Sequence, residues 1–340
     1  MLDDRKAAIL RAVVEEYIET AQPVGSQHVT RAGGVQASSA TVRNEMSVLE
    51  RDGYLVQPHT SAGRIPTDKG YRFFVDSLPG WGAGRLNPSQ RAEVKTFFTR
   101  AHGELEHMLS ETSQLLSRLT DHAAVIIAPP HEAATIRSVQ VVGLGGRTAL
   151  VVAVLSNGSV EKRTIELPLG EDGEPVGDAV LAAASTRLAG HLTGRTIGDL
   201  GVAPATGEPA VDALLTAAMQ AITGGHDEEE GSVFVGGASR LANAFDAVAT
   251  VRQVLGILEE QFVVVTLLRD LLDRGLTVAI GAEHGVMPLA ECSVVVAPLR
   301  GGNGEAGTIG ILGPTRMNYP QALAAVAVVS QRLGRRMEEG

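Results

Sequence analysis

The sequence predicts an α+β chain with a small helical module and hairpin at its N-terminal end, then a sheet domain interrupted by a mostly helical block. Three observations predict this. Apolar residues recur at helical spacing before residue 52, and a short strand–turn–strand run follows. Strand-like runs gather at 136–167 and again at 277–312. Between these two groups, residues 174–223 are alanine-rich and helical in texture.

Residues 5–18 place Ile9, Val13 and Tyr17 or Ile18 on one stripe, which makes a first helix. Pro23-Val24-Gly25-Ser26 is a turn whose serine can cap a second helix, Gln27 to Arg31, and Gly33-Gly34 stops it. Ser38 and Ser39 can each cap a third helix, because a serine oxygen accepts from the free N–H groups of a first turn. Val42, Met46 and Leu49 then share one face of it. Gly53 sits where a helix-ending glycine belongs. Tyr54 to Gln57 forms a short strand, and Arg64-Ile65-Pro66 pairs back against it. Thr67 to Arg72 and the apolar Phe73, Phe74 and Val75 seal the module. Three helices, a short second one and a hairpin describe a winged helix-turn-helix over residues 1–78.

The chemistry lies on the outer face of the third helix. Ala40 is small enough for close approach, and Arg43 and Asn44 are the residue types that pair bidentately with guanine and adenine edges. Candidate DNA contacts on this helix are therefore Ser38, Ser39, Ala40, Thr41, Arg43, Asn44 and Ser47. The hairpin adds His59, Ser61 and Arg64, and the segment beyond it Lys69 and Arg72, as groups suited to phosphate or minor-groove contacts. An ordinary surface helix also turns polar residues outward. The hairpin beside the helix favours the DNA reading.

Charge agrees with that reading. The chain carries a net charge of −10, but its first 80 residues hold 9 basic and 10 acidic side chains. The acidity thus sits outside the module, which avoids repelling phosphate. A module this weakly charged needs a few placed arginines, and a dimer, to bind DNA well. Cys292 is the single cysteine, so no intrachain disulfide or Cys-rich zinc site can form, and its apolar surroundings predict a core thiol. The first 20 residues are too charged for a signal peptide, and runs such as FVVVTLL (262–268) are too short to span a bilayer. A cytosolic protein without a membrane partner is expected. GxxxxGK[ST], HExxH, CxxC and GxSxG are all missing, and Gly143-Leu144-Gly145-Gly146 joins two strands rather than a strand and a helix. No catalytic residue, cofactor or metal is expected, so the chain does not read as an enzyme.

The remaining elements follow from texture. Residues 79–88 form a Gly- and Pro-rich linker, and one long helix runs from about Ser89 to His122. Strands are expected at Ile136 to Leu144, Thr148 to Leu155 and Val160 to Leu167, and again at Thr277 to Ile280, Ser293 to Ala297 and Gly307 to Leu312. A closing helix spans Pro320 to Met337. The expected domains are 89–168 joined with 274–340, and an inserted domain over 169–273. Gly313 to Tyr319 reads as a tight turn with Asn318 as helix cap. A functional reading instead has Arg316 and Glu283 line a pocket or pair with each other.

PVGS (23–26), SSATVRNEMSVLERDGYL (38–55), QPHTSAGRIPT (57–67) and KGYRFFVD (69–76) resemble the heat-inducible transcription repressors of the HrcA family. IGAE (280–283), CSVV (292–295) and GILGPTRMNYP (310–320) resemble that family's second hallmark region. The resemblance implies a repressor of heat-shock chaperone operons that binds an inverted-repeat operator in double-stranded DNA as a homodimer. It also implies a chaperonin partner that keeps the repressor active until heat stress draws it away. Under the same resemblance the sheet domain is GAF-like, and the inserted segment is a dimerisation domain. His284 departs from the family's usual asparagine, and Pro298-Leu299 from an aromatic-containing stretch, which puts any pocket chemistry in doubt. Two other readings stay open: a metabolite-sensing regulator using the GAF-like domain as ligand sensor, and a structural DNA-binding protein.

Overall fold

Ile9, Leu10, Val13 and Val14 are fully buried on one side of α1 (Asp4–Thr20), whose start is capped by the Asp3 carboxylate. Each such side chain contributes about 1.5–3 kcal/mol of apolar burial. They pack against α2 (Ser26–Arg31), α3 (Ser39–Arg51) and α4 (Asp68–Asp76), with the antiparallel strands β1 (Leu55–Val56) and β2 (Ile65–Pro66) between α3 and α4. The computed structural model describes residues 2–31, 35, 37–59, 62–79, 86–100, 105–128, 134–156, 159–169, 176–224, 232–242, 245, 248–275, 277–301 and 304–339. The glycine pair 33–34, Ser61, the linker stretch 80–85, the Asn157-Gly158 turn and the acidic run 227–230 lie outside them.

The expected long helix is two. Helices α5 (Pro88–Arg100) and α6 (Leu105–Thr120) run back along each other, joined by Gln90 Nε2 donating to Leu119 O and by the Arg118–Glu93 ion pair at 3.2 Å. Their apolar stripes, Val94 and Phe98 on one and Leu105, Leu109 and Leu116 on the other, enter a common core. Straight after α6 comes a strand that the sequence reading missed, β3 (Ala123–Ile127), buried at all five positions.

β3 belongs to a five-stranded antiparallel sheet in the order β7-β3-β10-β9-β8, with β7 (Val233–Gly236), β8 (Val278–Ile280), β9 (Cys292–Gly301) and β10 (Gly304–Pro314). Alternate residues feed two cores. Ala124, Ile126, Val295, Ile309 and Ile311 face α6 and the closing helix α12 (Tyr319–Glu339). Val125, Ile127, Val294 and Val296 face α10 (Val248–Glu259), which follows the short α9 (Ala238–Ala242), and α11 (Gln261–Asp273). Helices therefore cover both faces of the sheet. Cys292 is buried here, and burial first, then the Glu291 charge, pushes its thiol up to about 12.

The domain boundaries differ from expectation. Strands β4 (Ile136–Gly145), β5 (Thr148–Leu155) and β6 (Val160–Glu166) pair only with one another among the described residues. Their inner face packs under α7 (Asp178–Leu192) and α8 (Pro209–Thr223) in a hydrophobic core of its own. The inserted unit thus runs from about Ala134 to Thr223 and contains the first strand group. β7, α10 and α11, expected within the insertion, belong to the five-stranded sheet unit instead. The reason is pairing: edge-to-edge hydrogen bonds between distant segments decide which sheet a strand joins, and periodicity does not encode them. Among the described residues no helix is long and apolar enough to cross a membrane.

Candidate nucleic-acid interface

α3 begins where the sequence places it. Ser38 is the cap, its Oγ accepting from Thr41 N–H at 3.2 Å, and Ser39 Oγ lies 2.9 Å from Ser26 Oγ at the head of α2. At its far end the Gly53 N–H donates to Glu50 O and the Tyr54 N–H to Leu49 O, with Gly53 at φ +79. This paired closure with a left-handed glycine stops the helix and turns the chain into β1.

The hairpin is seated by segments that are far apart in sequence. Val24 and Arg64 exchange backbone hydrogen bonds at 2.9 Å each, so the turn before α2 adds a bridge beside β2. Gly63 is required by this closeness, since a Cβ there would lie against the Val24 carbonyl. Gly70 answers to the same constraint on the other side, where α4 presses on the Tyr54 carbonyl oxygen. Thr67 Oγ1 accepts from Gly70 N–H at 3.2 Å and donates to Gly53 O at 2.7 Å, tying the start of α4 to the end of α3.

Around this frame the candidate residues separate into two groups. Ala40, Arg43 and Asn44 are exposed together on α3, with Ser38 at its head and Thr41 half-buried, its hydroxyl 2.9 Å from Ser38 Oγ. His59 is exposed on the hairpin, and Ser61 lies outside the described residues. Lys69 is exposed too; its ammonium donates to Asp52 O at 2.8 Å, beside the carbonyl end of α3, and lies 4.3 Å from the centre of the Tyr54 ring.

Arg64 and Arg72 depart from the phosphate-contact expectation. Arg64 is only 14% exposed: Nε donates to Glu50 Oε2 and a terminal nitrogen to Ser47 Oγ, both at 3.0 Å. It braces the hairpin against α3, and Ser47 is taken up in the same contact. Arg72 turns away from the module and grips Glu283, 211 residues later, through both carboxylate oxygens. In each case a carboxylate supplied by the fold has claimed the guanidinium. Glu283 therefore pairs with Arg72 rather than with Arg316 as the functional reading of the turn proposed. Asn318 does cap α12, its Oδ1 accepting from Gln321 N–H at 3.1 Å.

Comparison with known proteins bears on this surface. The family model for the HrcA protein C-terminal domain matches residues 106–323, more than half of the chain. The chain belongs to the HrcA family. Proteins named heat-inducible transcription repressor HrcA are similar over nearly the whole length. That of Kineococcus radiotolerans is 38% identical, covering 98% of this chain and 99% of its own. Those of Cutibacterium acnes and Streptomyces avermitilis are 38% and 35% identical, each covering 100% of both chains. The crystal structure of a hypothetical protein is alike with a TM-score of 0.68 and 25% identity, covering 100% of this chain and 99% of that one. The family is one of transcription repressors, which is not an enzyme class, and the mixed helix-and-sheet architecture agrees with it.

Proposed function

We propose that the chain represses heat-shock chaperone operons, binding as a homodimer to an inverted repeat in double-stranded DNA. Residues 1–78 act as a winged helix, with α3 in the major groove and the hairpin on the flanking backbone. The observation that carries this is the exposed Ala40, Arg43 and Asn44 face of α3 beside the hairpin. It occurs in a chain whose relatives are named heat-inducible transcription repressors. The five-stranded sheet covered by helices on both faces fits the GAF-like part. The unit from about Ala134 to Thr223 fits the dimerisation insertion.

In this reading a chaperonin maintains the active repressor, and heat-unfolded proteins draw it away. Such control needs an active form only slightly favoured over inactive ones, so that modest stability differences change occupancy. A ligand-sensing role for the five-stranded sheet domain would have to use the cleft of about 620 Å³ between β9 and α12, lined by Pro298, Arg300, Gln331 and Arg335. The apolar cavity between this sheet and helices α10 and α11 is about 20 Å³, room for one water, whereas ligand pockets run to about 300 Å³ or more.

Footprinting the full-length protein on the DNA upstream of its own gene, with and without chaperonin and ATP, tests the reading. Protection of an inverted repeat that chaperonin restores to heated protein supports it. Tight binding that chaperonin leaves unchanged and a small metabolite releases favours the sensor. Arg43→Ala is expected to weaken specific binding by about 1–3 kcal/mol and nonspecific binding far less. Equal losses on both DNAs would remove the base-reading role. Arg64→Ala should lower affinity by loosening the hairpin while leaving the slope of log affinity against log salt unchanged. A slope shallower by about one would restore Arg64 as a phosphate contact.

A further inference from the structure

The surface of α4 that faces away from the hairpin carries a second set of interactions. Arg72 Nε donates to Glu283 Oε1 at 2.9 Å, and one terminal nitrogen bonds both Glu283 Oε2 and, at 2.8 Å, the Val278 carbonyl oxygen. The other terminal nitrogen is 3.4 Å from Asp76 on the same helix. Glu283 is held from its own side, because Oε2 accepts from the Ile280 N–H at 2.8 Å. Burial raises the Glu283 carboxyl, but the Arg72 hydrogen bonds, the Ile280 N–H and the Arg72 charge outweigh it and hold the group below the ordinary glutamate value. One turn before Arg72, the Asp68 carboxylate lies against Gly281, where a Cβ would collide with it, and beside Ala282. Between these two polar contacts Tyr71 packs on Tyr319 with ring centres 5.9 Å apart, both rings buried.

Two carboxylate contacts flanking an aromatic pair fix orientation as well as distance. A forked guanidinium–carboxylate pair accepts only a narrow range of angles. The linker at 79–88 joins the helical module to the rest of the chain, and Leu86 within it is buried in the core the two share. We propose that Arg72 and Glu283, with Asp68 beside them, are positioning residues that set the angle of each DNA reader on the dimer body, and so the half-site spacing the dimer accepts. This rests on the repressor reading above and deepens it. Arg72 then acts on DNA only through the placement of α3.

The test uses the full-length wild type, Arg72→Ala, Glu283→Ala and the double variant. The probe is an inverted-repeat duplex selected from random DNA with the wild-type chain, alongside a single half-site and duplexes lengthened by about 5 and about 10 base pairs, half a turn and one turn. Half-site binding is expected to stay unchanged in all three variants. Affinity for the selected repeat should fall about tenfold, with no further loss in the double variant. The half-turn insertion, rejected by the wild type, should be tolerated. Weaker half-site binding by Arg72→Ala but not by Glu283→Ala would make Arg72 a direct DNA contact and overturn the proposal. Unchanged spacing preference would overturn it too, and tighter binding by the variants would make the junction an inhibitory latch. A wild-type chain that selects no inverted repeat overturns the repressor reading itself, and the clamp with it.

Discussion

Val152→Asp is expected to convert the proposed homodimer to monomers and to cost about 100-fold or more in affinity for the proposed operator. Val152 lies on the central strand β5, opposite Gln140 of β4 and Lys162 of β6. The inner-facing residues of that strand, Ala149, Val151, Ala153 and Leu155, are buried under α7 and α8. Among the described residues no helix covers its outer-facing Leu150, Val152 and Val154, which are only half-buried. Around them Val142 is 45% exposed, Leu144 58% and Val160 37%. Leu150, Val152 and Val154 form an apolar stripe between Gln140 on one side and Lys162 on the other. Such a stripe marks an association site, and a twofold dimer buries it against its own copy.

A carboxylate at this position would have to be desolvated in the dimer, and the Lys162 ammonium opposite it offsets only part of a cost of several kcal/mol. In the monomer it would stand in water, so far-UV dichroism and the thermal transition of the subunit should change little. Losing the dimer removes the effective-concentration advantage of the second half-site, roughly 100- to 10,000-fold. Sedimentation equilibrium and operator titration read the two effects together. A Val152→Asp protein that remains dimeric and binds the operator normally would place the dimer interface elsewhere.

The N-terminal module was legible because its determinants are local. Ser38, Gly53 and the stripe of Val42, Met46 and Leu49 lie within one helix length, and the hairpin follows directly. What escaped the sequence was each side chain's partner. Arg64 and Arg72 carry the right charge for phosphate, but Glu50 lies 14 residues away and Glu283 lies 211, and only the folded chain brings them together. β3 was hidden for a different reason. Covered on both faces, Ala123 to Ile127 shows no alternation, so this short apolar run after the helix expected to end near His122 carries no strand signal of its own. The strands of the insertion were recognised one by one, yet joined to the wrong sheet, because pairing partners leave no local mark. Gly313, the first residue of the hallmark turn, is explained only by the ring of His122, which occupies the space a Cβ would need.

That same ring predicts an acid-labile fold. His122 opens β3, and burial first holds its pKa down to about 4; the Arg316 charge adds to this and the Asp121 charge and hydrogen bond oppose it. Among the described residues Nδ1 has no hydrogen-bond partner, so a proton there would be both desolvated and uncompensated. The unfolded chain binds a proton near the ordinary value of 6.5, while the folded chain waits until about 4. Between these values the unfolded state holds more protons, so stability must fall as pH falls through that window and level off below it. At about 1.4 kcal/mol per pH unit, acidification from roughly pH 7 to 5 removes about 2 kcal/mol through this one group. His122→Phe keeps a flat ring against Gly313 and cannot titrate. In urea unfolding at the two pH values, the variant should lose about 2 kcal/mol less than the wild type, while other titrating groups cancel in the comparison. Equal losses would mean that His122 protonates in the folded protein as readily as in the unfolded one. The effect would reach the helical module as well, because the turn His122 supports leads directly into Tyr319, the residue on which Tyr71 of that module is packed.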